Sequence, residues 1–306
     1  IKFNSYNANF KFYIHFLPYV WYNKIKDGDY MKLIDEMNED FEIEFIKRTK
    51  WMNTPSNHFH SHYEMYYLLS GEVKYFINDS IYNVKQGTVV MIPPQIIHKS
   101  INASDPKHER FLIYFKPEFI KEFLGIEPGI LNCFDVNILN IPPQKQSKIE
   151  GFFKSMLNEY PHITSQNIVM TKSYFAQLLI TLNRYLEDGK IAEYTASELN
   201  QNTEKILDIV KFINNNYDKE ISLSGLSKEF YISQSYLSRS FKSVTGFTYI
   251  EYLNRVRIKK AIELLKSTNM NITEISESVG FSSSNHFCKM FKAIMKISPL
   301  KYKKLL

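Results

Sequence analysis

Cysteine and long apolar runs are both scarce in this sequence. The chain contains two cysteines, Cys133 and Cys288, which excludes a disulfide-stapled secreted scaffold and a cysteine-ligated zinc finger. The longest strongly apolar stretch, residues 12–22, is interrupted by His15 and Pro18 and is too short to cross a bilayer. It also lacks a small-residue cleavage site, so no signal peptide is expected. We therefore expect a cytoplasmic protein that does not bind membranes.

The composition is that of a folded protein. Hydrophobic residues make up 44% of the chain and aromatic residues 15%, enough for ordinary cores, which excludes global disorder. At roughly 100–200 residues per domain, the 306 residues predict two domains and allow three.

The positive charge is concentrated in the last third of the chain. Residues 204–306 contain 17 Lys and Arg against 9 Asp and Glu, a balance of +8, whereas residues 1–203 contain 21 against 23, a balance of −2. This asymmetry is typical of a polyanion-binding module joined to a nearly neutral one. A basic solvated surface is the alternative, because net charge determines non-specific binding rather than fold.

Residues from about 40 to 116 have the pattern of β-strands. Phe41, Ile43 and Phe45 alternate with charged residues, and further short runs of strand-forming residues are separated by turn residues such as Gly71 and Gly87. Several short strands at this spacing predict an all-β sandwich or barrel.

Residues 142–188 change to a helical period and predict two helices, 144–160 and 168–187. An apolar seam along the second helix either pairs with its copy in a second chain or lies in the core of one chain. The following residues, 189–203, are polar and predict a linker. The seam consists of Phe175, Leu179, Leu182 and Leu186.

The C-terminal third contains an internal repeat. Residues 223–233 match residues 272–282 in their apolar positions at an offset of 49, and beyond the turn the offset becomes 50. Each copy has the pattern helix, short turn, helix, with Ser222 and Asn271 as N-caps and Gly280 at a turn position that favours positive φ. The repeat therefore predicts two helix-turn-helix units.

The second helix of each unit has a polar face opposite its apolar stripe. Arginine pairs bidentately with guanine and asparagine with adenine, whereas lysine and serine suit phosphates. Two such faces in a basic module predict binding to double-stranded DNA, and the alternative is a helical bundle with solvated cations. The predicted DNA-binding residues are Ser235, Ser238, Arg239 and Lys242 in the first unit and Asn285, Cys288, Lys289 and Lys292 in the second.

An amphipathic helix is predicted between the two units, over residues 249–266. At 1.5 Å per residue it would be about 27 Å long, close to the ~34 Å that separates successive major grooves on one face of B-DNA. Four cations on this helix are candidates either for phosphate contacts or for a solvated face. They are Arg255, Arg257, Lys259 and Lys260.

Five ordered motifs are spread over residues 221–304. They are Tyr236-Leu-Ser-Arg-Ser-Phe-Lys, Arg255-Val-Arg-Ile-Lys-Lys-Ala, Ile275-Ser-Glu-Ser-Val-Gly-Phe-Ser, Phe287-Cys-Lys-Met-Phe-Lys and Ser298-Pro-Leu-Lys-Tyr-Lys-Lys. This series resembles the DNA-binding domain of AraC/XylS-type transcriptional regulators. Two positions depart from the family pattern. Tyr231 occupies a turn that more usually has glycine, and Lys289 stands where arginine, the bidentate partner of a base, is frequent.

The β region carries a second set of motifs. His58-Phe-His60-Ser-His-Tyr-Glu64, followed by six residues and Gly71, is similar to the first cupin motif. Gly87, Pro93, His98 and Asn102 are similar to the second, with Gln95 where glycine is usual. Alternation along a strand would place the three histidines and Glu64 on one face, with His98 on a neighbouring strand.

The resemblance to AraC-type regulators implies that a cupin-like barrel senses a small molecule and that the motif persists without metal. We therefore expect a polar effector pocket and no metal. The alternative is a metal site, since imidazoles with a carboxylate suit iron or zinc, and its ligands would be His58, His60, Glu64 and His98. The predicted effector-binding residues are His58, His60, Glu64, Tyr66 and His98.

These interpretations combine into an α+β protein. It would have an N-terminal cupin-like β-barrel, a helical linker and dimerisation segment, and a C-terminal all-α domain with two helix-turn-helix units. The expected boundaries are 1–30 for an N-terminal arm, 31–140 for the effector-sensing domain, 141–190 for the helical dimerisation segment, 191–203 for the linker and 204–306 for the DNA-binding domain.

The resemblance implies a transcriptional activator rather than an enzyme, with no catalytic residues and no cofactor. Its partners would be double-stranded DNA, a small-molecule effector for which carbohydrate is the suggested class, a second copy of the chain that pairs through the apolar seam, and RNA polymerase. The alternative function is a metal-dependent cupin enzyme that carries a DNA-binding domain. The basic C-terminal module fits this alternative poorly.

Overall fold

The computed structural model describes five segments of the chain, 40–49, 60–101, 106–160, 164–188 and 201–306. His58, a predicted effector-binding residue, lies outside these segments, as do the predicted N-terminal arm and most of the predicted linker. None of the described helices has the length and hydropathy that a bilayer crossing needs.

Eight antiparallel strands form two sheets in the described N-terminal part. The strands are β1 (Phe41–Arg48), β2 (Tyr63–Ser70), β3 (Glu72–Ile77), β4 (Ser80–Lys85), β5 (Thr88–Ile92), β6 (His98–Ile101), β7 (His108–Phe115) and β8 (Ile138–Asn140). One sheet has the order β1-β7-β2-β5-β8 and the other has the order β4-β3-β6. Between β7 and β8 lie two 3-10 turns and a short helix, α1 (Lys121–Leu124). The predicted β-rich N-terminal domain is therefore confirmed.

The five-stranded sheet buries both of its faces. Met65 on β2 points to one side, where it joins a hydrophobic core with the helices that follow. Glu64 and Tyr66 on the same strand point to the other side, towards the three-stranded sheet. There Tyr66 packs against Tyr75 of β3, with ring centroids 5.3 Å apart, and Glu64 contacts His98 of β6. The space between the two sheets therefore holds polar side chains among apolar ones such as Leu112 and Val90.

Two helices cover the outer face of the five-stranded sheet, α2 (Pro143–Glu159) and α3 (Ser165–Glu187). Phe175 of α3 lies 4.7 Å from Phe115 of β7 and 5.4 Å from Phe41 of β1, measured between ring centroids. These edge-to-face contacts fix α3 on the sheet.

The prediction that the apolar seam of α3 pairs two chains is wrong. Phe175, Leu179 and Leu182 are fully buried within the chain, and Leu186 packs against the same cluster. The reason is that the apolar face of the sheet needs a cover, and the seam supplies it. A homodimer stays a prediction, but it would need another surface.

Seven helices form the C-terminal domain. They are α4 (Gln201–Asn216), α5 (Leu223–Glu229), α6 (Gln234–Thr245), α7 (Tyr249–Ser267), α8 (Ile272–Ser278), α9 (Ser284–Met295) and α10 (Pro299–Lys304). The two predicted helix-turn-helix units are confirmed as α5–α6 and α8–α9, joined by α7. Residues 201–203, which were predicted to be linker, are helical and begin α4.

The predicted caps and the predicted turn have the expected geometry. The Ser222 hydroxyl accepts a hydrogen bond from the Gly225 backbone N–H at 3.0 Å, and Asn271 forms a capping box with Glu274. Gly280 has a φ of +85°. A β-carbon at Gly280 would lie 2.6 Å from the backbone oxygen of Asp218, so both its conformation and its surroundings require glycine.

The equivalent turn of the first unit holds Tyr231, the departure noted in the sequence. Its φ is +51°, so a tyrosine occupies the left-handed region that glycine adopts without strain. The side chain is 91% exposed. A side chain is tolerated here because solvent surrounds it, at a cost in backbone strain.

Two of the four cations for which phosphate contact or a solvated face was expected are structural instead. Arg257 is buried, and its Nε and guanidinium NH2 donate hydrogen bonds to the backbone oxygens of Tyr217 and Lys219 at 2.7 and 2.8 Å. Arg255 is buried over the ring of Phe247. The apolar face of α7 is wider than its periodicity suggested, because α7 packs on both units.

Replacing Tyr231 with glycine is expected to stabilise the protein. Glycine relieves the left-handed strain and few side-chain contacts are lost, so the free energy of unfolding should rise by about 0.5–1 kcal/mol. The matched control is Gly280→Ala in the second unit, which should destabilise. Urea denaturation monitored by circular dichroism measures both, and a destabilised Tyr231→Gly variant would contradict the strain argument.

Candidate functional site

The second helix of each helix-turn-helix unit begins at a serine cap. The Ser233 hydroxyl accepts from the Tyr236 N–H at 3.3 Å and begins α6, and the Ser283 hydroxyl accepts from the His286 N–H at 3.2 Å and begins α9. Each helix buries one stripe in the core of the domain and leaves its opposite face to solvent. The two helices therefore present equivalent faces.

Seven of the eight predicted DNA-binding residues are exposed. The four cations among them form no ion pair with any acidic residue in the described segments, so their charge is available to phosphates. Cys288 is half-buried and packs against the core, which limits its reach. The exposed residues are Ser235, Ser238, Arg239, Lys242, Asn285, Lys289 and Lys292.

Sequence reasoning missed His286. It is exposed in the first turn of α9, the part of a recognition helix that reaches base edges. Its ring packs edge-to-face on Phe281, with centroids 5.4 Å apart. His286 lies three residues after Ser283, the N-cap of α9, so this cap signal in the sequence could have revealed it.

Three predicted effector residues meet between the two sheets. The Nε2 atoms of His60 and His98 lie 3.1 and 3.2 Å from the same oxygen of Glu64. The Nδ1 atoms of the two rings lie 2.9 and 2.8 Å from the backbone oxygens of His62 and Ile96. Because a carbonyl only accepts, each Nδ1 carries a proton. Both Nε2 atoms are therefore aimed at the carboxylate.

This cluster can share protons or hold a cation. If the Nε2 atoms carry protons, both donate to Glu64; if they do not, three acceptors converge and a divalent ion would bridge them. The three ligand atoms lie within 4.8 Å of one another, and they are the donor types of zinc and non-haem iron sites. Burial alone raises the pKa of Glu64, but His98 and His60 bring it well below its usual range. The expectation of no metal stays a prediction.

The histidine motif does not lie along one strand, as the alternation had suggested. β2 begins at Tyr63, so His60 and His62 precede it. The ring of His62 stacks on that of His60, with centroids 5.0 Å apart, instead of facing Glu64. Within this motif the chain reaches the cluster through a loop and only Glu64 is placed by strand pairing, whereas His98 arrives on β6.

Tyr66, the remaining described effector residue, is fully buried and lies next to an arginine that sequence reasoning missed. The guanidinium carbon of Arg110 lies 5.0 Å from the centroid of the Tyr66 ring. Arg110 and Tyr114 are on β7, two positions either side of Leu112, and alternate with core residues. That alternation in the sequence could have assigned both to the polar interior.

The outer face of the three-stranded sheet contacts the helical domain. Lys99 of β6 donates a hydrogen bond to the backbone oxygen of Gly246 at 2.7 Å and lies 5.0 Å from the Phe247 ring. The Tyr252 hydroxyl donates to the backbone oxygen of Asn78 at 2.9 Å. Lys99 directly follows His98, so neighbouring residues of one strand contact the polar cluster and the end of α6.

Gly246 ends α6 in the left-handed conformation, with a φ of +79°. A β-carbon there would lie 2.5 Å from Cδ of Lys99. The equivalent residue after α9 is Lys296, which has a similar φ of +63° and a side chain. The first unit therefore needs glycine because the β-domain lies against its helix end.

Comparisons with known proteins agree with both halves of this description. Residues 41–179 match the AraC-like ligand binding domain, and residues 226–305 match a helix-turn-helix domain. The chain combines the two domains of AraC-type transcriptional regulators and is homologous to them. It is a DNA-binding regulator with a domain for a small-molecule ligand.

Several AraC-family relatives align over most of the chain. The HTH-type transcriptional regulator YfiF of Bacillus subtilis is 26% identical over 292 residues, covering 90% of this chain and 87% of the relative. The transcriptional activator RhaS of Mannheimia succiniciproducens is 25% identical, covering 79% and 87%. The Msm operon regulatory protein of Streptococcus mutans is 27% identical, covering 79% and 84%. These names agree with the expectation of a regulator and not an enzyme.

His108, at the start of β7, should make the stability of this regulator pH-dependent. Burial, with Arg110 and Arg48 nearby, lowers the pKa of His108 from 6.5 to about 4. Between these values the unfolded chain binds a proton that the folded chain does not, so stability falls as the pH falls. From pH 6.5 to 5 the loss should be about 1 kcal/mol. Urea denaturation should show a smaller loss for His108→Gln, and equal losses would contradict the assignment.

Proposed function

We propose that this regulator is a transcriptional activator that reads DNA with α6 and α9 and responds to a small molecule bound between its two sheets. The main support is the paired arrangement of two exposed basic helix faces, one in each unit. The exposed Arg239 and Lys289 occupy equivalent positions on them. Activation is favoured because the relative RhaS is named an activator. A carbohydrate is the effector class suggested by the family resemblance, and a homodimer and contact with RNA polymerase belong to the same proposal.

The predicted DNA contacts divide into two kinds. Arg239 and Asn285 have the side chains that pair bidentately with bases, and they would supply sequence preference. The lysines and serines on the same faces would bind phosphates and fix the register. The half-buried Cys288 contributes less to this surface than predicted.

The three-stranded sheet contacts the predicted effector site on its inner face and the end of α6, the first DNA-reading helix, on its outer face. A ligand that moves His98 on the inner face also moves Lys99 on the outer face, and Lys99 is bonded to the end of α6. Phe76 adds a packed contact, with its ring centroid 5.8 Å from that of Tyr252. The effector would change DNA binding by binding more tightly to one arrangement of this contact than to another. The change in DNA affinity cannot exceed the ratio of the effector's affinities for the two arrangements.

Loss of the Arg239 guanidinium should weaken specific DNA binding. A site is first selected from a random DNA library with the full chain, and Arg239→Ala should then bind it about tenfold to a hundredfold more weakly, with relaxed preference at one base pair. The control is Lys211→Ala, which removes an exposed cation from α4, outside the reading faces; its weak surface ion pair with Asp208 adds little. Mobility-shift assays at fixed salt measure both. Equal effects of the two substitutions, or no selected site, would contradict the proposal.

Removal of the Phe76 side chain should allow the β-domain and the helical domain to unfold separately. Phe76 is fully buried in a core formed mainly by the helical domain, and its loss leaves a cavity worth about 3–5 kcal/mol. Calorimetry should show one unfolding transition for the wild type and two for Phe76→Ala.

Phe153→Ala is the matched control. Phe153 is fully buried in the other core, between α2 and the five-stranded sheet. Its replacement should lower the melting temperature without splitting the transition. A single transition in Phe76→Ala, or a split in both variants, would contradict the shared-sheet coupling.

A further inference from the structure

Arg110 is a buried cation without an acidic partner. It is 7% exposed, and no carboxylate in the described segments forms an ion pair with it. Its Nε atom and the Tyr66 hydroxyl are both buried, and neither makes a hydrogen bond of normal geometry, although the two side chains attract each other. The Arg110 guanidinium rests on the face of the Tyr66 ring, with its central carbon 5.0 Å from the ring centroid. The close neighbour of this buried cation is therefore a neutral side chain and not an anion.

Arg257, a second buried arginine, has a structural role, and its hydrogen bonding differs from that of Arg110. Arg257 is 9% exposed, and it donates two hydrogen bonds to the backbone at the end of α4. A buried charge is costly unless it is paired and hydrogen-bonded. Arg257 meets this condition within the chain. Arg255, which also lies over an aromatic ring, donates to the Glu251 backbone oxygen at 3.2 Å and has the Glu251 carboxylate nearby. Arg110 has neither a backbone oxygen nor a carboxylate as a partner in the described segments, so an anion from outside the chain would supply what it lacks.

The charges around Arg110 show which partner fits. Arg48 pairs with His108 across β1 and β7, and both arginines act on His108, whose pKa they help to lower. Two arginines therefore lie at this end of the interior. The nearest carboxylate on the same face is that of Glu44 on β1, opposite Leu112, and it forms no ion pair with Arg110. Glu64 lies about four residues or 13 Å further along the strands, where His60 and His98 already engage it. The positive charge of Arg110 is thus separated from the carboxylate of the polar cluster.

We propose that the effector carries an anionic group, a carboxylate or a phosphate, which the Arg110 guanidinium and the Tyr66 hydroxyl bind between the two sheets. This proposal rests on the proposed function and narrows its effector from carbohydrates in general to acidic ones and other small organic anions. A planar guanidinium matches the two oxygens of such a group. Hydroxyl groups of the same ligand would reach towards His98 and Glu64.

The first test needs no ligand. In the full chain, Arg110→Met should raise the melting temperature by several degrees, because a buried charge without a partner is replaced by an apolar side chain of similar length. Arg257→Met is the matched control and should lower the melting temperature, because it removes two hydrogen bonds. If Arg110→Met lowers the melting temperature as much as the control does, Arg110 is structural and the proposal is overturned.

The second test uses matched probes at constant ionic strength: glucose, gluconate, glucose 6-phosphate, acetate and inorganic phosphate. Gluconate, glucose 6-phosphate or both should raise the melting temperature of the wild type more than glucose does. A larger shift with gluconate indicates a carboxylate effector, and a larger shift with glucose 6-phosphate indicates a phosphate effector. Arg110→Met should remove this shift, and Tyr66→Phe should weaken binding about fivefold to tenfold. No shift with any anionic probe, or a shift that survives Arg110→Met, overturns the proposal.

The two proposals fail in different ways. If glucose shifts wild type and Arg110→Met equally and also changes DNA affinity, the anionic effector is wrong and the regulated activator stands. If an acidic probe binds through Arg110 but leaves DNA affinity unchanged in the mobility-shift assay, the anion site stands and the effector response is wrong.

Discussion

The link between sensing and DNA reading depends on the alternation of side chains along β6. Because successive residues of a strand point to opposite faces, His98 lies in the polar interior and Lys99 lies on the helical domain. The backbone of β6 therefore carries both the contact with the polar cluster on one face and the contact with the helical domain on the other. A shift of one residue in its register with β3 would exchange the two side chains and disconnect the halves of the protein.

The fate of each buried charge follows from what surrounds it. Glu64 is held by two imidazoles, and Arg257 is held by backbone carbonyls at a helix end. Arg110 has aromatic rings and a hydroxyl around it but no counterion in the described segments. The arrangement of Arg257 is satisfied within the chain and stabilises the fold, and the two imidazoles keep the pKa of Glu64 well below its usual range. Arg110 keeps a positive charge that is not paired with a carboxylate, which lowers the stability of the fold but is expected of a residue that binds an anion.

The two helix-turn-helix units diverge where their neighbours differ. Gly280 is closed in by the backbone at the end of α4, whereas the equivalent Tyr231 is in solvent. At the helix ends the pattern is reversed: Gly246 lies under Lys99, whereas Lys296 carries a side chain. Each glycine marks a place where another part of the chain approaches closely. Both units keep the same left-handed backbone, so the duplication is conserved in conformation more than in residue type.

Local patterns were enough to predict much of this protein. Periodicity and caps such as Ser222 and Asn271 predicted the β-rich half, the two units and their exposed basic faces, because these features depend on residues close in sequence. They did not predict that the α3 seam covers the sheet, that Arg257 closes the end of α4, or that Arg110 lies unpaired beside Tyr66. Those outcomes depend on which surfaces meet. An apolar stripe or a cation carries no information about its partner until the tertiary structure brings distant segments together.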